Sequence, residues 1–213
     1  MERAGESSLL RRVLVRLQAT LIWLTRIAYC RGFGIQSPSA YAFVRYVINE
    51  HYPYYAYREL DTQFPKLDIR QRKLCRFLFR LANWLQPSLV VDAVDGLAPV
   101  RRAYFHAGCR KACVREGGSH EKDIGHLGDA NATTTLLMVA DTEVGRALCT
   151  EALLHAHPRM VMVMVGIHRN RRARRWWHEV ASSPQAGVTY DLYDCGVVMF
   201  DLTKYKQQFK VNF

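Results

Sequence analysis

The chain lacks paired cysteines. Six are present in 213 residues, at Cys30, Cys75, Cys109, Cys113, Cys149 and Cys195, and none forms a CxxC pair. A chain this long builds an apolar core without cross-links, so a disulfide framework is excluded. The thiols read as reduced, in or near the core of a cytoplasmic protein. Cys109 and Cys113, with His106, His120 and His126 nearby, fit no common zinc-module spacing, and no metal is expected there. Acidic residues are scarce: Asp and Glu number 19, Lys and Arg 30, for a formal net charge of +11. That imbalance favours anionic partners: nucleic acid, an anionic membrane surface or phosphorylated ligands. There is no internal repeat, low-complexity tract or linker, which excludes a solenoid or a disordered chain. An uninterrupted apolar run of spanning length is also missing. Leu9 to Tyr29 is apolar, but Arg11, Arg12, Arg16 and Arg26 break it and no small-residue cleavage site follows. Neither a transmembrane segment nor a signal peptide is read there.

What is present is a globular composition, 49% hydrophobic and 23% charged. Leu9, Leu10, Val13, Leu14, Leu17, Leu21, Leu24, Ile27 and Ala28 share one helical face, with the arginines off it. Three settings are open for this helix: packed on its own domain, docked on a protein partner or second copy, or lying on an anionic membrane. Gly32 and Gly34 break it, and Ser37-Pro38 is an N-cap followed by proline at the first helical position, predicting a helix from Pro38 to about Glu50. His51 to Tyr57 is aromatic. It suits a connecting segment packed by its tyrosines, or a base-stacking platform. A helix over Gln71–Leu85 carries an apolar face of Leu74, Phe77, Leu78, Leu81 and Leu85, with Arg72, Lys73, Arg76 and Arg80 mostly off it. We divide the chain into a helical extension, 1–70, packed on an α/β domain, 71–213.

Within that domain, Leu89 to Val94 is a β-branched run suited to a buried parallel strand. Apolar runs recur around Cys113, at Leu136 to Ala140 and at Met160 to Ile167. Helical patterns at Glu143 to His155 and Arg171 to Ala181 follow the last two. This alternation predicts a parallel sheet with crossover helices. Val188 to Tyr193 and Val197 to Phe200 flank Asp194-Cys195-Gly196, predicting a terminal antiparallel hairpin.

The element order resembles the Rossmann-like class I S-adenosylmethionine-dependent methyltransferase fold, whose last strand inserts antiparallel. Gly32-Phe33-Gly34-Ile35-Gln36-Ser37-Pro38 resembles the GHGIHSP-type opening of a bacterial methyltransferase-like family. Ile167-His168, Trp176-Trp177, Val188 to Tyr193, Gly196 to Phe200 and Lys206 to Phe209 resemble its ending. The resemblance covers nearly the whole chain and is weakest in the middle, where the chemistry belongs.

It implies S-adenosylmethionine as cofactor, held by an acidic residue and a glycine-rich turn after the first strand. Asp92 takes the acidic position. Val94 and Ala98 stand where glycine is expected, leaving Gly96 alone. Val94 opposes close backbone approach and disfavours positive φ. Glu116, ending the second strand, is the candidate for the ribose hydroxyls. Asp129 resembles the acidic residue facing adenine. The interval from Gly117-Gly118 to Leu127 is too short for the helix that relatives place there. Asp141 takes a position that supplies a magnesium ligand in related O-methyltransferases, but Val165-Gly166 replaces the family's consecutive aspartates, so no catalytic magnesium is expected. His168 is the candidate general base.

His168 to His178 carries Arg169, Arg171, Arg172, Arg174 and Arg175. Positive charge opening a helix opposes its macrodipole, and an anionic partner relieves it. Arginines for phosphate and tryptophans for stacking make a nucleic-acid signature. A solvated face with Trp176 or Trp177 packed on the sheet is the alternative. Three functions stand: a pseudoenzyme or scaffold with a degraded cofactor site, placed first; an active methyltransferase on an unknown acceptor; and a basic nucleic-acid-binding protein on the same fold.

Overall fold

A computed structural model of the chain describes residues 17, 20, 21, 24–26, 34–117 and 134–213. Ser37 caps the first complete helix, accepting from the Ala40 N–H at 3.4 Å, with Pro38 at its start. Helix α1 covers Pro38–Phe43, and the backbone then widens into a π-helical turn over Val44–Ile48. It stops short of Glu50 because its end is taken by a side chain. Arg80 donates to the carbonyl oxygens of Val47 at 2.6 Å and Ile48 at 3.1 Å, satisfying groups that a further turn would otherwise bond.

The aromatic stretch leads into a helix, α2 (Tyr55–Gln63), that its composition did not announce. Tyr54 and Tyr57 pack edge-on against Phe79, with centroids 5.0 and 5.2 Å apart. These two tyrosines are therefore packing residues, while Tyr52 and Tyr55 are exposed. Helix α3 (Ile69–Leu85) starts earlier than its apolar pattern because Asp68 and Gln71 form a capping box. Its Phe77, Leu78 and Leu81 are fully buried. Arg80, expected off the apolar face, is buried too.

The remaining elements are β1 (Leu89–Ala93), α4 (Ala98–Gly108), β2 (Cys113–Glu116), β3 (Thr135–Ala140), α5 (Glu143–Leu154), β4 (Met160–Val165), α6 (Arg171–Ser182), β5 (Val188–Asp191), β6 (Cys195–Met199) and β7 (Gln207–Lys210). Seven strands form one sheet in the order β2-β1-β3-β4-β6-β5-β7. Strand β6 runs antiparallel between β4 and β5; every other pairing is parallel. This is the Rossmann-like α/β arrangement expected above, mostly parallel with an antiparallel strand near the C-terminus, and β7 is added at the edge.

The central strands are apolar on both faces because both are covered. Val90, Leu136, Met138 and Val163 face α1, the π-turn and α3. Val91, Leu137, Val139 and Met162 face α5 and α6. Phe43, Val44, Val47 and Ile48 belong to the first of these cores. The leucine face read as packing on the domain is open at Leu17, Leu21 and Leu24, which are 55%, 61% and 51% exposed.

The hairpin turns two residues earlier than predicted. Leu192 to Asp194 make the turn, with Tyr193 at φ 73°, while Cys195 and Gly196 already lie in β6. Gly196 is there for space, since a Cβ would overlap the Trp177 ring. Among the described residues no helix is long and apolar enough to cross a membrane.

Arg80→Met keeps the stem of the side chain but strands two buried carbonyls, each worth about 1–3 kcal/mol. The expected outcome is a loss of roughly 2–4 kcal/mol by urea denaturation, with the m-value unchanged.

Candidate functional site

Open α/β sheets bind ligands at the carboxyl ends of their parallel strands. Here that edge carries Asp92 on β1, Glu116 on β2, Asp141 after β3, His168 after β4 and Asp191 on β5. Topology thus gathers four of the predicted residues along one rim. Asp129 lies outside the described residues, as do His120, His126 and the short interval before Leu127.

The turn after β1 is built without glycine at Val94. Its left-handed residues come later: Gly96 at φ 68° and Leu97 at φ 56°. A non-glycine residue held there costs about 1–3 kcal/mol, so the surroundings must impose it. Arg101 on α4 does so. Its Nε donates to Asp92 Oδ2 at 2.7 Å, and its two terminal nitrogens donate to the carbonyls of Gly96 and Val94. Asp92 Oδ1 accepts from the Val94 N–H at 3.2 Å. Arg101 is 4% exposed and Asp92 3%. Burial pushes the Asp92 carboxyl up, and Arg101 pulls against it. Glu116 is exposed on the next strand and pairs with Arg102 at 3.0 Å.

Asp141 is held in the same manner. Its Oδ1 meets Arg146 Nε at 2.7 Å and Arg172 Nε at 3.4 Å. After β4 the chain turns at Gly166, with φ 74°, a conformation that the family's aspartate would adopt only under strain. No group of three ligating side chains gathers as a metal site does among the described residues.

His168 has partners that its own sequence neighbourhood did not reveal. Its Nε2 lies 2.9 Å from Asp191 Oδ2. One hydrogen bond joins the ring nitrogen to the carboxylate oxygen. Arg26 donates to Asp191 Oδ1 at 2.8 Å and to the Asp191 carbonyl at 3.0 Å. The Tyr193 N–H donates to Asp191 Oδ1 at 2.9 Å, and the Tyr193 ring stacks on His168 at 4.9 Å. Burial raises the Asp191 carboxyl, but the His168 hydrogen bond and the Arg26 charge outweigh it and hold the group at about 2. His168 and Tyr193 border a cavity of about 580 Å³, together with Leu21, Arg70, Gly166 and Asp194.

The arginines of α6 stay at the surface, Arg169, Arg171, Arg172, Arg174 and Arg175 all being exposed. The tryptophans do not: Trp176 and Trp177 are 7% and 3% exposed, packed in the core beneath the helix. They are not available to stack on bases. Asp191, Arg26 and Arg101 were missed as site residues. Arg26 was legible only as an interruption of an apolar run, and Arg101 only as one of many basic residues.

No protein-family model matches the chain, and no curated protein matches it. Among solved structures, a methyltransferase from Geobacter sulfurreducens is similar at 15% identity, over 69% of this chain and 87% of that one, with a TM-score of 0.46.

The Asp191 carboxyl has a lower pKa folded than its ordinary 3.8. Its stabilisation is therefore complete above about pH 5 and is lost as pH falls through 4 toward 2. Asp191→Asn is expected to cost at least about 2 kcal/mol at pH 7, with the gap to the parent protein closing in denaturation series taken down to pH 2.

Proposed function

We propose that the chain is a methyltransferase-fold protein whose cofactor cleft is closed by its own arginine, and that it serves as a binding or assembly scaffold. The observation behind this reading is the Arg101 guanidinium on Asp92, Val94 and Gly96. An S-adenosylmethionine site asks the first-strand carboxylate and the glycine turn to be free for the ligand. Here the carboxylate already has an internal cation, and the turn carbonyls point at the same group. The residues of the β1 turn do not fit the cofactor. Glu116 alone, exposed and paired with Arg102, supplies too little to compensate.

One observation favours an active transferase instead. His168 borders a cavity and is hydrogen-bonded to Asp191, the arrangement of a positioned general base. A base without a cofactor site is still only a side chain poised to accept a proton. We therefore place the scaffold reading first.

Isothermal calorimetry with S-adenosylmethionine and S-adenosylhomocysteine separates the two. No heat at millimolar ligand is expected. Micromolar binding that disappears in Glu116→Ala would overturn the closed-cleft reading and make His168→Ala the next variant to assay.

A further inference from the structure

The cavity that remains unexplained lies between α5 and α6. It measures about 460 Å³ and is lined by Arg146, Arg171, Arg172, Arg175, Trp176 and Glu179. Four guanidinium groups thus face one glutamate. Arg146 is fixed on two sides, by Asp141 at 2.7 Å and by the Trp176 ring, whose centroid is 4.8 Å from its guanidinium carbon. Arg172 shares the same Asp141 oxygen at 3.4 Å. Asp141 therefore draws two cations together and neutralises one of them. Arg171 and Arg175 have no carboxylate partner among the described residues.

This cluster is unfavourable in the free protein. Helix α6 has no acidic residue in its first turn, while Arg171 and Arg172 place positive charge against the positive end of the helix dipole. Like charges crowd the same cleft. A bound anion removes both penalties, and planar guanidinium groups match phosphate oxygens two at a time.

We propose that this cleft binds the phosphodiester backbone of a nucleic-acid strand. One isolated phosphate would use two guanidiniums. The cleft offers four, Arg146, Arg171, Arg172 and Arg175, enough for two successive phosphates. The overall charge of +11 steers a polyanion toward it. A bilayer is a poorer match, because the apolar side of α6 (Ala173, Trp176, Trp177, Val180 and Ala181) is buried in the core and none of it is left to insert. With both tryptophans buried, no base is stacked by them, and binding is independent of sequence. The site is separate from the β1 turn, so it stands whether or not the cofactor cleft is closed.

Fluorescence anisotropy with a labelled 20-nucleotide single strand and the full chain tests this. Binding is expected at 50 mM salt. Two phosphate contacts on a single strand predict a loss of about sevenfold on going from 50 to 200 mM. Arg171→Ala with Arg175→Ala should weaken binding by tenfold or more at low salt and lower the log–log salt slope by about 0.7. A control pair, Arg45→Ala with Arg58→Ala, removes the same charge from exposed helical positions elsewhere and should change affinity less than twofold. The proposal is overturned by no binding at 50 mM salt, or by an equal loss in the control pair. It fails too if inorganic phosphate at constant ionic strength displaces the strand completely at low millimolar concentration. So would binding to phosphatidylserine vesicles, dependent on Arg171 and Arg175, with none to the oligonucleotide.

Discussion

A carboxylate taken out of water at the end of a strand needs a cation within hydrogen-bond reach, because the desolvation of an unpaired charge costs several kcal/mol. Three carboxylates at the carboxyl edge of this sheet are in that position, and the same chain supplies each cation. Asp92 is held by Arg101, Asp141 by Arg146 with Arg172, and Asp191 by Arg26. The helices around the rim are tied down through these pairs: α4 by Arg101, α5 by Arg146, and the N-terminal segment by Arg26. In an enzyme of this architecture the same rim is where carboxylates are kept for ligands. Here the polar groups of the rim are largely spent on holding the fold.

The β1 turn shows how such a rim is assembled. With valine at position 94 the left-handed conformation moves to Gly96 and Leu97, and the turn carbonyls swing toward the start of α4. Arg101 stands one helical turn beyond Leu97, and its backbone N–H bonds the Leu97 carbonyl at 3.0 Å. From there its side chain reaches back over the loop. Valine at position 94 and this arginine are thus two parts of one local solution. The glycine at 166 is the reverse case: its positive φ ends β4 and directs the chain toward His168, where a carboxylate-bearing residue would be strained.

The sheet was legible in the sequence because parallel strands covered on both faces leave unbroken apolar runs, and Leu89–Ala93, Thr135–Ala140 and Met160–Val165 are such runs. The rim was legible only in part. Asp92, Glu116, Asp141 and His168 could be placed because each ends a strand. Their partners could not, since Arg26 and Asp191 are separated by 165 residues and no local pattern joins them. Arg80 escaped for a related reason. Helical periodicity assigned it to the outside, whereas the carbonyls of Val47 and Ile48, more than thirty residues earlier, draw it in. Side-chain pairings across the fold decide these positions, and periodicity carries no information about them. Helix α2 was hidden by its aromatic content, which suits a packed connection as well as a helix.

The same separation of local and distant causes explains the arginine helix. The period of α6 places Ala173, Trp176, Trp177 and Val180 inward, so burial of the tryptophans follows from the fold. Among the described residues neither Arg171 nor Arg175 forms an ion pair, although Glu179 lines the same cleft. Arg26, Arg101 and Arg146 each answer an internal acid; these two do not. A stability role accounts for the first group, since removing any of them takes an ion-pair partner from a carboxylate of the rim. For the second group the fold bears a cost of charge repulsion and an opposed dipole without a return from its own structure. A ligand of opposite sign bound in the cleft between α5 and α6 would offset that cost.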